Sequence, residues 1–193
     1  MAISRPLATG LYVQPVIEFL NKNPEMWSEI TARQDHPKSP HHSTQCIFVR
    51  GPEAFTVRKF FHDTGSYDYP SKAKLEPVLY PLIVPVIEGL LQASEVGRIL
   101  IVNLMAGGIV DEHIDHGSYA DHFSRFHIVA STNPECTNTT GGEVEHWRQG
   151  TCWWFNHKLP HSASNAGETD RVHIIIDAVA PDFHVQRGQH GHS

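Results

Sequence analysis

Basic runs, long apolar segments and paired cysteines are all missing from this sequence. The formal net charge is −6 and no cluster of Lys and Arg appears, which argues against a nucleic-acid partner. The longest apolar run, residues 79–91, is interrupted by Pro81, Pro85 and Glu88, so it is too short to span a bilayer. Residues 1–9 contain no apolar signal core.

Cysteine is scarce, and its spacing is uninformative. The three cysteines, Cys46, Cys136 and Cys152, are an odd number without a CxxC pair, which favours free thiols in a reducing compartment. Together with the missing signal and membrane segments, this predicts a soluble, cytoplasmic protein. The sequence leaves the oligomeric state open.

The remaining composition, 40% hydrophobic and 19% charged residues, is that of an ordinary globular chain large enough to bury a sizeable core. We expect one domain over residues 1–193. In it, residues 1–96 form a helix-rich support with early strands, residues 97–180 form the β core that carries the site, and residues 181–193 form a flexible tail.

The first half of the chain alternates predicted helices with polar loops. Apolar residues recur at helical spacing over residues 11–33 and 79–94, and the prolines of the second segment are expected at its first turn and at a kink. β-Branched and aromatic residues predict a strand over residues 44–50 and a weaker one over residues 55–61.

From Gly97 onward, short strands separated by turns dominate the pattern. They favour an antiparallel barrel or jelly roll, and so a mainly β protein with an α-helical N-terminal part. The predicted strands are residues 98–105, 109–113, 125–132, 143–147, 151–156, 161–165 and 171–179.

The spacing around His113 suggests a metal site, although fifteen histidines make histidine abundance alone uninformative. Asp115 follows two residues later, and residues i and i+2 of a strand point the same way. His161 begins a later predicted strand, which we expect to deliver it from the facing sheet. Two histidines and one carboxylate form the facial triad of non-haem Fe(II) oxygenases. Asp111 and Glu112 are competing carboxylates.

An arginine ten residues beyond His161 is a second indication. Arg171 opens the last predicted strand and shares a face with His173. A five-carbon keto-diacid that chelates a metal leaves its far carboxylate free, and a guanidinium binds carboxylate with two parallel hydrogen bonds. Arg125 and His127 form a similar pair that could bind the co-substrate or orient Arg171. A surface salt bridge is the plainer interpretation of Arg171.

These motifs together resemble the aspartyl/asparaginyl β-hydroxylase family of Fe(II)/2-oxoglutarate oxygenases. The resemblance rests on their order and spacing over residues 100–180, while the N-terminal third is similar only loosely. The motifs are GGIVDEHID, RFHIVASTNP, GGE, WWFN, HSASN and RVHIIID.

The resemblance implies a double-stranded β-helix, a cupin-like jelly roll. It implies an Fe(II)- and 2-oxoglutarate-dependent dioxygenase that hydroxylates an unactivated C–H bond of an amino acid or of a peptide or protein side chain, consuming O2 and releasing succinate and CO2. It also implies iron at His113, Asp115 and His161, and 2-oxoglutarate contacts at Arg125, His127 and Arg171.

One position separates two branches of that family. The animal peptide hydroxylases have a glycine where Asp115 stands, whereas the related bacterial free-proline hydroxylases keep the carboxylate. This chain therefore resembles the full-triad branch, and its substrate cannot be copied from the animal enzymes.

Two other functions stay open. One is a non-catalytic metal-binding β-barrel that senses or stores a ligand. The other is a different metalloenzyme on the same barrel, such as a thiol dioxygenase, although Asp115 and Arg171 argue against that alternative.

The prime substrate is equally open among a free amino acid, a peptide or protein side chain, and a small acid. Loops 34–43, 63–74 and 116–124 are expected to frame its pocket, the first as a surface loop or a lid. Three basic residues could meet a substrate carboxylate or lie at the surface: Arg33, Arg50 and His42.

Overall fold

The computed structural model describes residues 3–37 and 39–183, and within them two antiparallel sheets face each other. The strands are β1 (Ser4–Ala8), β2 (Thr44–Gly51), β3 (Tyr67–Asp68), β4 (Glu95–Leu104), β5 (Ile109–His113), β6 (Ser124–Ser131), β7 (Cys136–Thr140), β8 (Glu143–Glu145), β9 (Cys152–Phe155), β10 (His161–Asn165) and β11 (Arg171–Val179). The helices are α1 (Gln14–Lys22), α2 (Ala32–Asp35), α3 (Pro70–Val84) and α4 (Gly117–His122), with a 3₁₀ turn at Pro24–Ser28 and π-helical turns at Arg58–His62 and Pro85–Leu90.

The large sheet has the strand order β1-β9-β6-β11-β4-β2-β3, and the small sheet has the order β5-β10-β7-β8. Apart from the pairs β2–β3 and β7–β8, neighbouring strands are not consecutive in sequence, because the chain crosses repeatedly between the two sheets. This architecture confirms the predicted mainly β jelly roll with an α-helical N-terminal part.

Strand β11 shows how alternation directs side chains to two places. Val172, Ile174 and Ile176 enter the core between the large sheet and the helices, where they meet Leu75 and Leu79 of α3. Burying one such aliphatic side chain stabilises the fold by about 1.5–3 kcal/mol. The alternate side chains point between the sheets, as the sequence predicts: Arg171, His173, Ile175 and Asp177.

The strand predicted over residues 55–61 is wrong, because the chain there forms the π-helical turn at Arg58–His62. A tertiary contact stabilises the turn: Arg98 Nη2 donates to the carbonyl of Phe60 at 2.7 Å. The β propensity of the aromatic residues is therefore overridden by their surroundings.

Helix α3 begins at Pro70, nine residues before the predicted start, and a predicted loop forms its first turn. Proline at the first helical position costs little because its missing N–H would have no partner there. Pro77 and Pro81 lie inside the helix, where the buried side chains of Leu75 and Leu79 hold the segment against the sheet. A π-helical turn then begins at Pro85.

The N-terminal part contributes directly to the large sheet. Strand β2 pairs with β4, and β1 pairs with β9. The unpredicted elements are β1, β3, β7 and α4. Most of the tail predicted over residues 181–193 lies outside the described residues. Among the residues described, no helix is both long and apolar enough to cross a membrane.

Candidate metal centre and active site

Two histidines meet at one end of the small sheet. His113 ends β5 and His161 begins β10, and the two residues are direct partners in the strand pairing. Their ring centroids lie 4.2 Å apart. His161 therefore comes from the neighbouring strand of the same sheet, and the expectation that the facing sheet delivers it is wrong.

Asp115 joins the pair from just beyond the end of β5. Its backbone N–H donates to the carbonyl of His157 at 3.1 Å, and its Oδ1 lies 3.7 Å from His113 Nε2. One ligand atom from each of His113, Asp115 and His161 can be chosen so that all lie within 4.8 Å of one another. The competing carboxylates, Asp111 and Glu112, are exposed and stand outside this group.

Hydrogen bonds orient both imidazole rings. His113 Nδ1 lies 2.7 Å from the carbonyl of Asp111, and His161 Nδ1 lies 2.9 Å from the carbonyl of Leu159. A carbonyl can only accept, so each Nδ1 carries the proton and each Nε2 keeps its lone pair for a metal. Burial lowers the pKa of His161 to about 4 and lowers that of His113, which keeps both rings in the neutral, metal-binding form.

Arg125 holds the carboxylate of the group. Its Nη1 donates to Asp115 Oδ2 at 2.5 Å, while Nε and Nη2 donate to the two carboxylate oxygens of Asp177 at 2.8 and 3.1 Å. Burial alone would raise the pKa of Asp115, but the Arg125 guanidinium holds it well below its usual range. Asp115 is therefore ionised, with Oδ1 turned towards His113.

The three nitrogens of Arg125 thus donate to carboxylates of the protein itself. Asp177 is its direct cross-strand partner, and Tyr119 Oη donates to the same carboxylate at 3.0 Å. The co-substrate contact expected of Arg125 stays a prediction, and the described contacts make Arg125 a support for Asp115.

Arg171 points between the sheets into a cavity of about 60 Å³ that also reaches His113 and His161. Its Nη1 donates to Asn138 Oδ1 at 2.8 Å, and its buried Nε has no partner among the described residues. Burial lowers the pKa of Arg171 to about 10, so the side chain is charged at neutral pH. No ion pair involving Arg171 occurs within residues 3–37 and 39–183, and its burial contradicts a surface salt bridge.

His127 lines the same small cavity. Its Nδ1 lies 3.1 Å from His173 Nδ1, and its buried Nε2 has no partner in the described part of the chain. Burial lowers the pKa of both histidines well below the ordinary value. A neutral ring with an unpaired buried nitrogen beside Arg171 suits a polar ligand.

A larger cavity of about 390 Å³ adjoins the other side of the metal group. Loops 34–43 and 116–124 line it, as expected, whereas loop 63–74 does not and residues 55–61 do. Whether loop 34–43 moves as a lid stays open.

The structure separates the three basic candidates for a substrate carboxylate. Arg33 lines both cavities. Arg50 lies 3.6 Å from Asp68 and donates to the carbonyl of Ser66, and His42 is exposed. Arg33 is therefore the one of the three that reaches the site.

Sequence reasoning missed the role of Asp177. A signal was present, because Asp177 shares the inward face of a buried strand with Arg171 and His173. A buried carboxylate requires a cation, and Arg125 on the neighbouring strand meets that need. Strand order was not readable from the sequence, so the partner could not be identified.

Comparisons with known proteins point to one family. A family model described as Aspartyl/Asparaginyl beta-hydroxylase matches residues 57–181. An L-proline cis-4-hydroxylase from Rhizobium meliloti (strain 1021) is 30% identical over 118 residues, which are 61% of this chain. The chain spans 42% of the length of that relative.

Solved structures show the same fold at low sequence identity. A 2OG-Fe(II) oxygenase family oxidoreductase from Burkholderia pseudomallei matches with a TM-score of 0.52 and 14% identity, over 88% of this chain and 81% of its own. A prolyl-4-hydroxylase from Pseudomonas putida matches with a TM-score of 0.50 and 12% identity, over 93% of each chain.

Proposed function

The chain belongs to the aspartyl/asparaginyl β-hydroxylase family, and we propose that it is an Fe(II)- and 2-oxoglutarate-dependent dioxygenase. It hydroxylates an unactivated C–H bond of an amino acid or of a peptide side chain. One observation carries the proposal: two oriented imidazoles and an ionised carboxylate lie together beside a small cavity. Arg171 lines the same cavity and has no ion-pair partner among the described residues.

The donor set fits ferrous iron. Two neutral imidazoles and one carboxylate from His113, Asp115 and His161 suit Fe(II) and leave coordination positions for other ligands. Both rings have the protonation state that binding requires. When bound, iron with 2-oxoglutarate and O2 supplies the oxidising power to cleave a C–H bond, with release of succinate and CO2.

The surrounding residues position the reactants. Arg171 offers a planar pair of donors for the distal carboxylate of 2-oxoglutarate, and Asn138 holds that guanidinium at 2.8 Å. His127 offers its unpaired Nε2 to the same ligand. Arg125 keeps Asp115 ionised and so keeps a negative ligand in place for the metal.

The proline hydroxylase relative supports the amino-acid class of substrate, because its name gives L-proline as the compound that it hydroxylates. The ionised Asp115 also matches the full-triad branch, in contrast to the glycine of the animal peptide hydroxylases.

The test is substrate-dependent succinate release. We expect the protein with Fe(II), 2-oxoglutarate and O2 to release succinate when a panel of free amino acids and short peptides is added. Asp115→Ala should abolish this release and weaken Mn(II) binding. Asp111→Ala is the matched control, because that exposed carboxylate lies four residues away and outside the ligand group.

Metal binding without any 2-oxoglutarate consumption across the panel would contradict an oxygenase and favour the non-catalytic metal-binding barrel. Equal loss in Asp111→Ala would contradict the ligand assignment.

A further inference from the structure

The larger cavity is mostly apolar, and His113 and Asp115 of the metal group also line it. Phe48, Phe55, Phe60 and Phe61 form its aromatic wall, and Leu100 lines it as well. The volume of about 390 Å³ lies in the range of pockets for small organic ligands, about 300–1,000 Å³. A ligand that fills this space must present a substantial apolar surface.

Contacts with Arg98 and Gly117 hold part of the aromatic wall in place. Arg98 donates to the carbonyl of Phe60 and stacks on the ring of Tyr119, with 3.6 Å between its guanidinium carbon and the ring centroid. Gly117 has φ +90°, and a Cβ there would lie 2.3 Å from the carbonyl oxygen of Phe61. This close approach requires glycine. Phe60 and Phe61 of the aromatic wall are therefore held in position without a bound ligand.

Arg33 brings a positive charge to this cavity without a compensating carboxylate. Its Nη2 lies 3.0 Å from His41 Nε2, and its buried Nη1 has no hydrogen-bond partner among the described residues. A guanidinium can only donate, so His41 Nε2 is the acceptor of this hydrogen bond. No ion pair involving Arg33 occurs within the described ranges.

Two other arginines line the cavity, and both are held by the protein itself. Arg125 donates to two carboxylates, Asp115 and Asp177. Arg98 donates through Nη2 to carbonyl oxygens and stacks on two aromatic rings, although its buried Nε has no partner among the described residues. Among the described residues, Arg33 is thus the arginine at this cavity that neither pairs with a carboxylate nor stacks on an aromatic ring, and its open Nη1 suits an anionic ligand.

We propose that the larger cavity binds a small free carboxylate with a bulky apolar side chain, such as a large hydrophobic amino acid. Arg33 binds the carboxylate, and the apolar group packs on Phe55, Phe60 and Phe61. This names the prime-substrate class of the proposed oxygenase, and only its link to turnover rests on that function. An apolar side chain inside a protein is excluded because it carries no carboxylate, and an Asp or Glu side chain is excluded because it carries no bulky apolar group.

The test is equilibrium binding measured by calorimetry, which requires no turnover. The protein is loaded with Mn(II) and 2-oxoglutarate under anaerobic conditions, and L-phenylalanine, L-leucine, 3-phenylpropionate, L-phenylalaninamide and L-proline are titrated. We expect the first three to bind. L-Phenylalaninamide lacks the negative charge and should bind about 10- to 100-fold more weakly than L-phenylalanine. L-Proline should also bind more weakly, because it buries less apolar surface.

Variants locate the contacts. Arg33→Met should remove the preference for L-phenylalanine over its amide, and Arg33→Lys should retain part of it. Arg148→Met is the matched control at an exposed arginine away from both cavities and should change nothing. Phe55→Ala should weaken L-phenylalanine binding more than L-proline binding.

Equal binding of L-phenylalanine and its amide, stronger binding of L-proline, or no binding of the first three ligands would overturn the proposal. So would an Arg33→Met protein that loses 2-oxoglutarate affinity but keeps the ligand preference, since Arg33 would then serve the small cavity. If Arg33→Met does not fold, the ligand series on the unchanged protein still decides.

The outcome is separable from the oxygenase proposal. Arg33-dependent binding of L-phenylalanine without succinate release would refute the oxygenase and leave this inference standing. Succinate release that is greatest with L-proline and unaffected by Arg33→Met would support the oxygenase and refute this inference.

Discussion

The two cavities that meet at His113 and Arg125 come from different parts of the chain. The small cavity is lined chiefly by inward side chains of the two sheets, and most of these lie between residues 102 and 175. The large cavity is lined by residues of α2, loop 34–43, β2 and the segment 55–61, together with residues of β4, α4 and the metal group. The sheets therefore supply most of the lining of the small cavity, whereas the first third of the chain supplies most of the lining of the large one.

The two cavities are expected to have different roles, the small one in metal and 2-oxoglutarate binding and the large one in the choice of substrate. In the small cavity, strand pairing positions several polar groups: His161 lies opposite His113, and Arg125 lies opposite Asp177, which holds its guanidinium. In the large cavity, Phe48 lies on β2, whereas Phe55, Phe60 and Phe61 lie on a loop and a turn outside the sheets. Changes in the large cavity should therefore alter which ligand binds, while changes in the small cavity should alter metal and 2-oxoglutarate binding.

The largest effect is expected from His161→Ala. This change removes one of three ligands, so Mn(II) affinity should fall by more than the roughly 10- to 100-fold that loss of an outer hydrogen-bonding partner costs. Succinate release should disappear, while metal-free binding of L-phenylalanine should change little. Calorimetry with Mn(II) and a succinate assay measure both. His122→Ala, at an exposed histidine paired with Glu95, is the control; retained turnover in His161→Ala would remove His161 from the metal site.

Acid should destabilise the metal-free protein through three histidines between the sheets, His127, His161 and His173. Burial lowers the pKa of His161 to about 4 and lowers that of His127 and His173 well below 6.5. Below about pH 6.5 these histidines bind protons in the unfolded chain, whereas in the folded chain they stay neutral until the pH approaches their lowered pKa values. The free energy of unfolding is therefore highest above about pH 6.5 and falls as the pH decreases towards 4. His161 alone accounts for about 3 kcal/mol of this loss.

Urea unfolding at pH 7.0 and at pH 4.5 measures this loss. His173→Gln should reduce the difference between the two pH values, and the exposed His122→Gln should leave it unchanged. A free energy of unfolding that is equal at both pH values would show that these rings are not neutral in the folded state.

The sequence predicted the small cavity better than the large one. The sequence predicted that His113, Asp115 and His161 lie together and that Arg171 faces the interior, and the structure places them so. Alternation along β11 explains the direction of Arg171, whereas Asp115 lies beyond the end of β5. Metal and co-substrate binding by these residues stays a prediction. The strand order could not be found, so His161 was expected from the wrong sheet. The role of Asp177 was missed for the same reason.

At the large cavity, aromatic composition indicated a strand over residues 55–61 where contacts with Arg98 produce a π-helical turn. Arg33 could not be separated from Arg50 and His42, because only tertiary packing decides which of them reaches the cavities. Local patterns thus describe the strands well, and they fail where distant contacts decide the conformation.

Arg171→Met should impair 2-oxoglutarate binding without changing the large cavity. The variant removes the charged partner of the distal carboxylate, so the KM and Kd for 2-oxoglutarate should rise by about 10- to 100-fold. Arg171→Lys keeps the charge but lacks the second donor, so its Kd for 2-oxoglutarate should lie between those of the unchanged protein and Arg171→Met. Affinity for L-phenylalanine in the metal-free protein should be unchanged. An unaltered Kd for 2-oxoglutarate would place the co-substrate elsewhere.

A smaller effect, about tenfold on Mn(II) affinity, is expected from Asp177→Asn. Asparagine keeps the volume, but it has one acceptor oxygen and directs an NH2 group at the donors of Arg125. Arg125 would lose part of its support, and Asp115 would be held less firmly. Because Asp177 touches no ligand, its change should act through metal affinity and alter the Mn(II) spectrum, whereas a merely structural role would lower the melting temperature alone.

Asp170→Asn is the matched control for that variant. Asp170 also accepts hydrogen bonds, from Asn103 and from the backbone of Ala106, at the start of the same strand, but it does not contact Arg125. Asp177→Glu restores the charge and should recover part of the metal affinity. If Asp177→Asn and Asp170→Asn lowered the melting temperature equally and left Mn(II) binding intact, Arg125 would need no second carboxylate to hold Asp115. The large sheet would then enclose the metal group without orienting it.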